Sequence, residues 1–203
     1  MTSAMEAADQ ALLETHRRLL DRLVAETIRR GAESGSPPSS ELQAVAPELN
    51  EERATFVTLT QGGRLRGCIG TITPHRPLVQ DLSQNAFAAA FSDHRFTPVG
   101  TKDLETLRFS ISLLSPMVPL TFTDEADLLD QVEPGRHGLL IMSRGRRSVF
   151  LPQVWKDLPD PKEFLARLKI KAGLPADHWD ADFKAWIYTV AKSPETGLEI
   201  PPT

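Results

Sequence analysis

Residues 54–72 commit this chain to antiparallel β structure. "ATFVTLT" (54–60) alternates and is rich in β-branched residues, "QGG" (61–63) supplies a tight turn, and "RLRGCIGTI" (64–72) returns as a partner strand. A hairpin of this kind seeds a meander, and the rest of the chain has to cover it. "TLRFSISLLS" (106–115) places Leu107, Phe109, Ile111 and Leu113 on one face, a half-buried strand. "GLLIMS" (138–143) and "RSVFLP" (147–152) read as two more strands joined at Arg144-Gly145-Arg146, and "FKAWIYTVA" (183–191) as a last one. There is no internal repeat and no regular strand–helix–strand alternation. The expected class is therefore α+β, a mostly antiparallel sheet with flanking helices.

Helical spacing supplies the covering elements. The first 30 residues read as one helix, with Leu12, Leu13, Leu19, Leu20, Leu23, Val24 and Ile28 on its apolar side, Gly31 as its stop and "SGSPPSS" (34–40) as a loop. A second helix is expected over 74–91, with Pro77 in its first turn, and a short one over 123–130. The stretch 160–175 is the best punctuated: Asp160 as cap, Pro161 in the first turn, Glu163 to complete a capping box, Gly173 and Pro175 at the end. At 203 residues and 40% hydrophobic, the chain is long enough for one domain with a substantial core.

Charge and composition narrow the function classes. A formal charge of −4 gives no general attraction to nucleic acid or anionic membranes. No run of about 18 apolar residues spans a bilayer, and the N-terminus lacks the basic and apolar regions of a secretory signal. A cytoplasmic protein is expected.

The only cysteine, Cys68, lies in "LRGCIG" (65–70). With regular strand alternation, Leu65 and Ile69 share one face while Arg64, Arg66 and Cys68 share the other. Residues i and i+2 are roughly 6.5–7 Å apart, within reach of a guanidinium, and a neighbouring cation favours thiolate over thiol. Gly67 and Gly70 leave bare backbone, which strands use for close approach of a ligand or another backbone. The competing reading makes Cys68 a small apolar plug. The five histidines, His16, His75, His94, His137 and His178, show no metal-ligand spacing. His75 and His94 bracket the helix after the cysteine strand, so either is placed to fold back as a base. Asp93 and Arg95 form a local ion pair or an anion site, and Asn85 is a structural or a substrate-binding amide. "SRGRRS" (143–148) reads as a solvated hairpin turn. No phosphate-cradling glycine motif and no hydrolase elbow is present.

The stretch "LRGCIGTITPHRPLVQDLSQNAFAAAFSDHRFTPV" (65–99) resembles the hallmark region of the AMMECR-type domain family, whose prokaryotic members are called AmmeMemoRadiSam system protein A. The similarity continues through 107–120, 135–154 ("GRHGLLIMSRGRRSVFLPQV") and 164–179, and so covers about residues 10–190 of a single domain spanning 1–203. The resemblance implies an α+β fold in two unequal lobes with a cleft between them, and Cys68 in the hallmark strand. It also implies association with a Memo-type protein and a radical S-adenosylmethionine protein. It names no reaction and no cofactor. His94 stands where family members usually carry proline, which weighs against a general catalytic role for it; Ser148-Val149 stands where a glycine-containing strand start is common, with no evident functional consequence.

Two function classes follow. In the first, the protein is a thiol-dependent enzyme acting on a small polar substrate: Cys68 and His75 are catalytic, and Arg66, Gly67, Gly70, Asn85 and Arg95 bind substrate. In the second, it is a non-catalytic ligand-binding or adaptor domain docking onto those two partners. Neither involves nucleic acid, a membrane or a bound metal.

Overall fold

The computed structural model describes residues 2–37, 39 and 46–199. Two compact units are present, one containing the described residues of Glu6–Leu114 and Ala191–Thr203, the other those of Met1–Met5 and Ser115–Val190. Each is an antiparallel sheet with helices, so the α+β expectation holds. None of the described helices is long and apolar enough to cross a membrane.

Helices α1 (Thr2–Thr15) and α2 (Arg17–Ser34) begin the chain, followed by the hairpin strands β1 (Ala54–Gln61) and β2 (Arg64–Gly70). Helix α3 (Leu78–Phe91) and strand β3 (Leu107–Leu114) come next. The second unit holds β4 (Val118–Pro119), α4 (Glu125–Asp130), β5 (Gly138–Ser143), β6 (Arg146–Phe150), α5 (Pro161–Lys171) and β7 (Lys184–Tyr188). The chain then re-enters the first sheet through β8 (Val190–Lys192) and β9 (Thr196–Gly197).

The first sheet runs β2-β1-β3-β8, with β9 also paired to β3, so β2 is an edge strand. Alternation decides its two faces. Val57 and Leu59 of β1 and Phe109, Ile111 and Leu113 of β3 point to one side and share a core with Leu20, Val24 and Ile28 of α2 and Leu82, Ala86 and Ala89 of α3. The intervening residues Phe56, Thr58, Ser110 and Ser112 belong to the opposite face. The second sheet runs β4-β7-β5-β6. Its core joins Leu139, Ile141, Ala185 and Ile187 to Phe164, Leu165 and Leu168 of α5, and Trp155 stacks on Phe164 with ring centroids 3.6 Å apart. Helix α5 starts as its sequence predicts: the Asp160 carboxylate accepts from the Glu163 N–H at 2.8 Å and Pro161 opens the first turn.

Four expectations change. The single N-terminal helix is two, broken at His16, whose ring nitrogen meets Glu48 at 2.8 Å; a tertiary side-chain hydrogen bond accompanies the break in helical spacing there. Gly31 does not stop α2, because its missing side chain makes room for the Phe91 ring. The stop is Gly35, at φ +67° in the left-handed region. Of the loop expected over 34–40, residues 38 and 40 lie outside the described residues. Helix α3 begins at Leu78 rather than at 74, since Pro77 keeps an extended ψ of 145°. The strand expected over 183–191 splits at Thr189, and its halves join different sheets.

The approach of α3 to β2 is set by Gly67. A Cβ built there would fall well inside contact distance of the Ala89 carbonyl of α3, which is backbone and cannot swing aside. At Gly70 the corresponding obstacle is the Phe56 ring, a side chain that can rotate away. Gly67→Ala is therefore expected to lower stability by roughly 3 kcal/mol, and Gly70→Ala by less, as read by urea unfolding of each variant.

Candidate functional site

The hallmark strand differs from a regular one at a single point. Thr58 pairs with Cys68 and Leu59 with Gly67, but Thr60 pairs with Leu65, so Arg66 has no partner of its own and forms a bulge. The bulge shifts the alternation: Leu65 lies opposite Thr60, on the face carrying Thr58 and Cys68, and does not share the core face of Ile69. Arg66 turns to the loop after α3. It donates to the Thr97 carbonyl at 2.6 Å and to the Thr97 hydroxyl and Pro98 carbonyl at 3.4 Å, and lies 3.7 Å from the Asp103 carboxylate.

Cys68 is held by its main chain. Because β2 is an edge strand, the Cys68 peptide groups point away from the sheet and need partners. The Asp93 carboxylate accepts from the Cys68 N–H at 2.9 Å, and Arg95 Nη2 donates to the Cys68 carbonyl at 3.3 Å. The two side chains also grip each other as a fork, Nε to Oδ1 at 2.9 Å and Nη2 to Oδ2 at 2.7 Å. Arg95 further packs on the Phe96 ring, 5.3 Å from its centroid. Hydrogen bonds from Arg95, against the cost of desolvation and helped by the N–H groups of Cys68 and Arg95, hold the Asp93 carboxyl far below the usual carboxylate range. The Arg95 guanidinium is in turn held more firmly protonated, first by its bonds to Asp93. The Cys68 side chain is half-buried, and its Sγ lies 3.4 Å from the Thr58 hydroxyl.

Asn85 belongs to a second cluster, built around Asp81 of α3, which is 0% exposed. One Asp81 oxygen accepts from the Thr55 N–H at 2.8 Å, the Thr55 hydroxyl at 2.6 Å and the Asn85 amide at 2.9 Å. The other accepts from Thr71 at 2.7 Å and Arg76 Nε at 2.8 Å. A buried carboxylate with five donors is fully compensated, and it locks the start of α3 to β1 and to the end of β2. The spacing of the sequence offers no signal for Asp81 beyond its lying four residues before Asn85. His75 is exposed, and its Nδ1 meets the Thr73 carbonyl at 3.1 Å. The fold thus brings Asp93, Arg95 and the Cys68 peptide into direct contact and joins Asn85 to Asp81, while His75 bonds locally. Among the described residues, no group of three or more His, Cys, Asp or Glu is arranged to hold a metal.

A family model described as AMMECR1 matches residues 22–193. The chain belongs to the AMMECR1 family. It is 36% identical over 171 residues to a protein of Methanosarcina acetivorans, covering 83% of this chain and 85% of that one. It is 35% identical over 150 residues to protein NEQ441 of Nanoarchaeum equitans, covering 71% and 81%. Its fold is similar to the crystal structure of the uncharacterized protein PH0010 from Pyrococcus horikoshii, with a TM-score of 0.75, 31% identity, and coverage of 89% and 95%.

The second unit of this AMMECR1 chain holds two polar clusters of its own. Ser143 Oγ meets His178 Nε2 at 2.9 Å and donates to Asp180 Oδ1 at 3.0 Å, while Arg144 Nε donates to Asp180 Oδ2 at 2.8 Å. This is not a hydrolase relay. The carboxylate contacts the serine directly, Asp180 reaches the same Nε2 that faces Ser143, and Ser143 is buried. The cluster holds Arg144, at φ +51° in the hairpin turn. Lys169 is fully buried, bonded to Glu125 at 2.6 Å and lying 5.5 Å from the Trp179 ring and 5.6 Å from that of Phe183. Each cluster joins distant stretches, Ser143 to His178 across 35 residues and Lys169 to Glu125 across 44, so spacing does not reveal either.

The Asp93 clamp has a definite pH signature. Its carboxyl titrates lower in the folded than in the unfolded chain, where the value is about 3.9. Its contribution is therefore present above that value and lost as pH falls toward the folded one. Asp93→Asn is expected to cost about 2 kcal/mol at pH 7, discounted for the partial exposure of Arg95. The gap to wild type should narrow steadily as the pH is lowered from 5 toward 2. Urea unfolding of both proteins across that range checks it.

Proposed function

We propose that the Cys68 strand is the working centre of this AMMECR1 protein and that Cys68 acts as a nucleophilic thiol on a small polar substrate. The observation that supports this most is a half-buried cysteine at a rigidly held position. Its peptide is gripped by Asp93 and Arg95 and its Sγ rests against the Thr58 hydroxyl. The sulfur forms a bond to an electrophilic carbon of the substrate. The bond from that carbon to its leaving group breaks, the leaving group departs with the electron pair and takes up a proton, and water later displaces the sulfur. Arg95, whose side chain is 56% exposed, orients the polar part of the substrate. Arg66, Gly67, Gly70 and Asn85 act by position, fixing the strand and the elements around it. The pathway carried by the family resemblance, with a Memo-type and a radical S-adenosylmethionine protein, belongs to the same proposal.

One observation favours a second reading. Among the described residues, no hydrogen bond joins Cys68 Sγ to a histidine, a carboxylate or a lysine that would serve as a base. On that reading the strand is part of a non-catalytic domain that docks onto those partners, and the docking survives Cys68→Ala.

Alkylation separates the two, because the chain has a single thiol. The native protein is expected to react completely with iodoacetamide at a rate within about tenfold of a free thiol. Mass spectrometry reads the adduct. Reaction only after urea unfolds the chain would remove the thiol reading and leave the adaptor.

A further inference from the structure

We infer that the fork between β4 and β7 is a binding site for a small apolar carboxylate, with an aromatic ring as the best-fitting body. The inference goes beyond the thiol reading and does not rest on it, because every residue it uses lies in the second unit.

β4 pairs with β7 for two residues only, Val118 with Ile187 and Pro119 with Trp186. The Leu120 N–H still donates to the Ala185 carbonyl at 2.9 Å. A continued antiparallel ladder would return a bond from the Ala185 N–H to the Leu120 carbonyl, and that bond does not form. The chain is drawn off toward α4 instead. Gln131 Nε2 donates to the Thr121 carbonyl at 3.0 Å, and the Thr123 N–H and hydroxyl donate to the Asp127 carboxylate at 2.9 and 3.2 Å. These bonds hold the fork open.

The diverging segments line a cavity of about 330 Å³, a ligand-sized space. Pro119, Leu120 and Phe122 form one wall, and Phe183 and Trp186 the other. The N–H and C=O of a strand residue point to the same side, so the Ala185 N–H faces β4 as its carbonyl does. Ala185 is 2% exposed and lines the cavity, and its N–H has no acceptor among the described residues. A buried main-chain donor of this kind is rare in folded proteins. The walls around it are mostly apolar and offer few of the further polar partners that hold a buried water. A ligand oxygen supplies the acceptor.

The lining contains one charged residue, Lys184, which is exposed and has no ion-pair partner among the described residues. The carboxylates of the neighbouring elements are engaged: Asp127 as above, Glu125 by Lys169, and Asp180 by Ser143 and Arg144. Asp182, two residues before Lys184, is exposed and does not line the cavity. An N–H donor and an ammonium at successive positions of one strand suit a carboxylate, one oxygen on Ala185 and the other toward Lys184. The apolar body then lies against Phe122, Phe183 and Trp186. A cationic ligand would meet Lys184 and offer Ala185 no acceptor.

The test titrates the full ¹⁵N-labelled chain with phenylacetate, phenylacetamide and phenethylamine and reads the amide shifts. Phenylacetate is expected to give saturable shifts centred on Ala185 and Lys184. It should bind about threefold tighter than phenylacetamide, which keeps the acceptor and lacks the charge. Phenethylamine should give no saturable shift there. In Lys184→Met the acid-to-amide ratio should fall to one with phenylacetamide binding unchanged, the fold being checked by thermal melting. Equal affinity for acid and amide in the native protein, or a preference that survives Lys184→Met, overturns the carboxylate class. No saturable shift at Ala185 with either compound overturns the site. N-acetylleucinamide binding tighter than phenylacetate would make the fork an edge for extended peptides, and overturns the inference too. None of these outcomes bears on Cys68, whose alkylation is read separately.

Discussion

An edge strand exposes a row of peptide groups, and the first sheet ends on β2. The answer at Cys68 is the Asp93 carboxylate on its N–H and the Arg95 guanidinium on its carbonyl. Much of the surrounding structure follows from the need to bring that pair to the strand. Gly67 has no side chain, so the last turns of α3 come down onto β2 until the Ala89 carbonyl fills the space. The chain leaving α3 at Phe91 is then already beside the edge, and Asp93 arrives two residues later. Arg66, freed from pairing by its bulge, ties down the far end of the same loop at Thr97 and Pro98. The Asp81 cluster holds the start of α3 just as firmly, through Thr55 and Thr71. Helix, loop and strand are thus fixed at both ends by charge-assisted hydrogen bonds, and Cys68 sits between them.

Much of this architecture is legible in the sequence where the signal is local. The hairpin at 54–70, the alternating β3 and the capped α5 all rest on residues within a few positions of one another, and all three form, the hairpin with one bulge. The misreadings share a different origin. Gly31 looks like a stop until Phe91, sixty residues on, is seen to need its space. The break at His16 is accompanied by its bond to Glu48, and the split at Thr189 comes from two sheets competing for one continuous stretch. The bulge at Arg66 is invisible because register belongs to the pair of strands rather than to either. A single extra residue moved Leu65 to the other face.

The site divides along the same line. The Asp93–Arg95 pair is two residues apart and readable as a local ion pair, but its target, the peptide of Cys68, is 25 residues away and gives no sequence signal. Asn85 is recognisable as an amide beside an apolar helix face, yet its role depends on Asp81, Thr55 and Thr71 meeting around it.

The residues of the hallmark hexapeptide that surround Cys68 have structural duties. Gly67 admits α3, Ile69 packs against the main core, Gly70 admits the Phe56 ring, and Arg66 anchors the 97–98 segment. Position 68 is different, because apart from the Thr58 contact of its sulfur, what the fold demands of it is demanded of its backbone. Its N–H and carbonyl hold Asp93 and Arg95 whatever the side chain, and a half-buried site gains less from an apolar group than a core position does. An alanine or serine would satisfy the same clamp. Beyond its contact with the Thr58 hydroxyl, the sulfur is the part of the strand of which packing asks least, and that is what sets it apart as a candidate for chemistry.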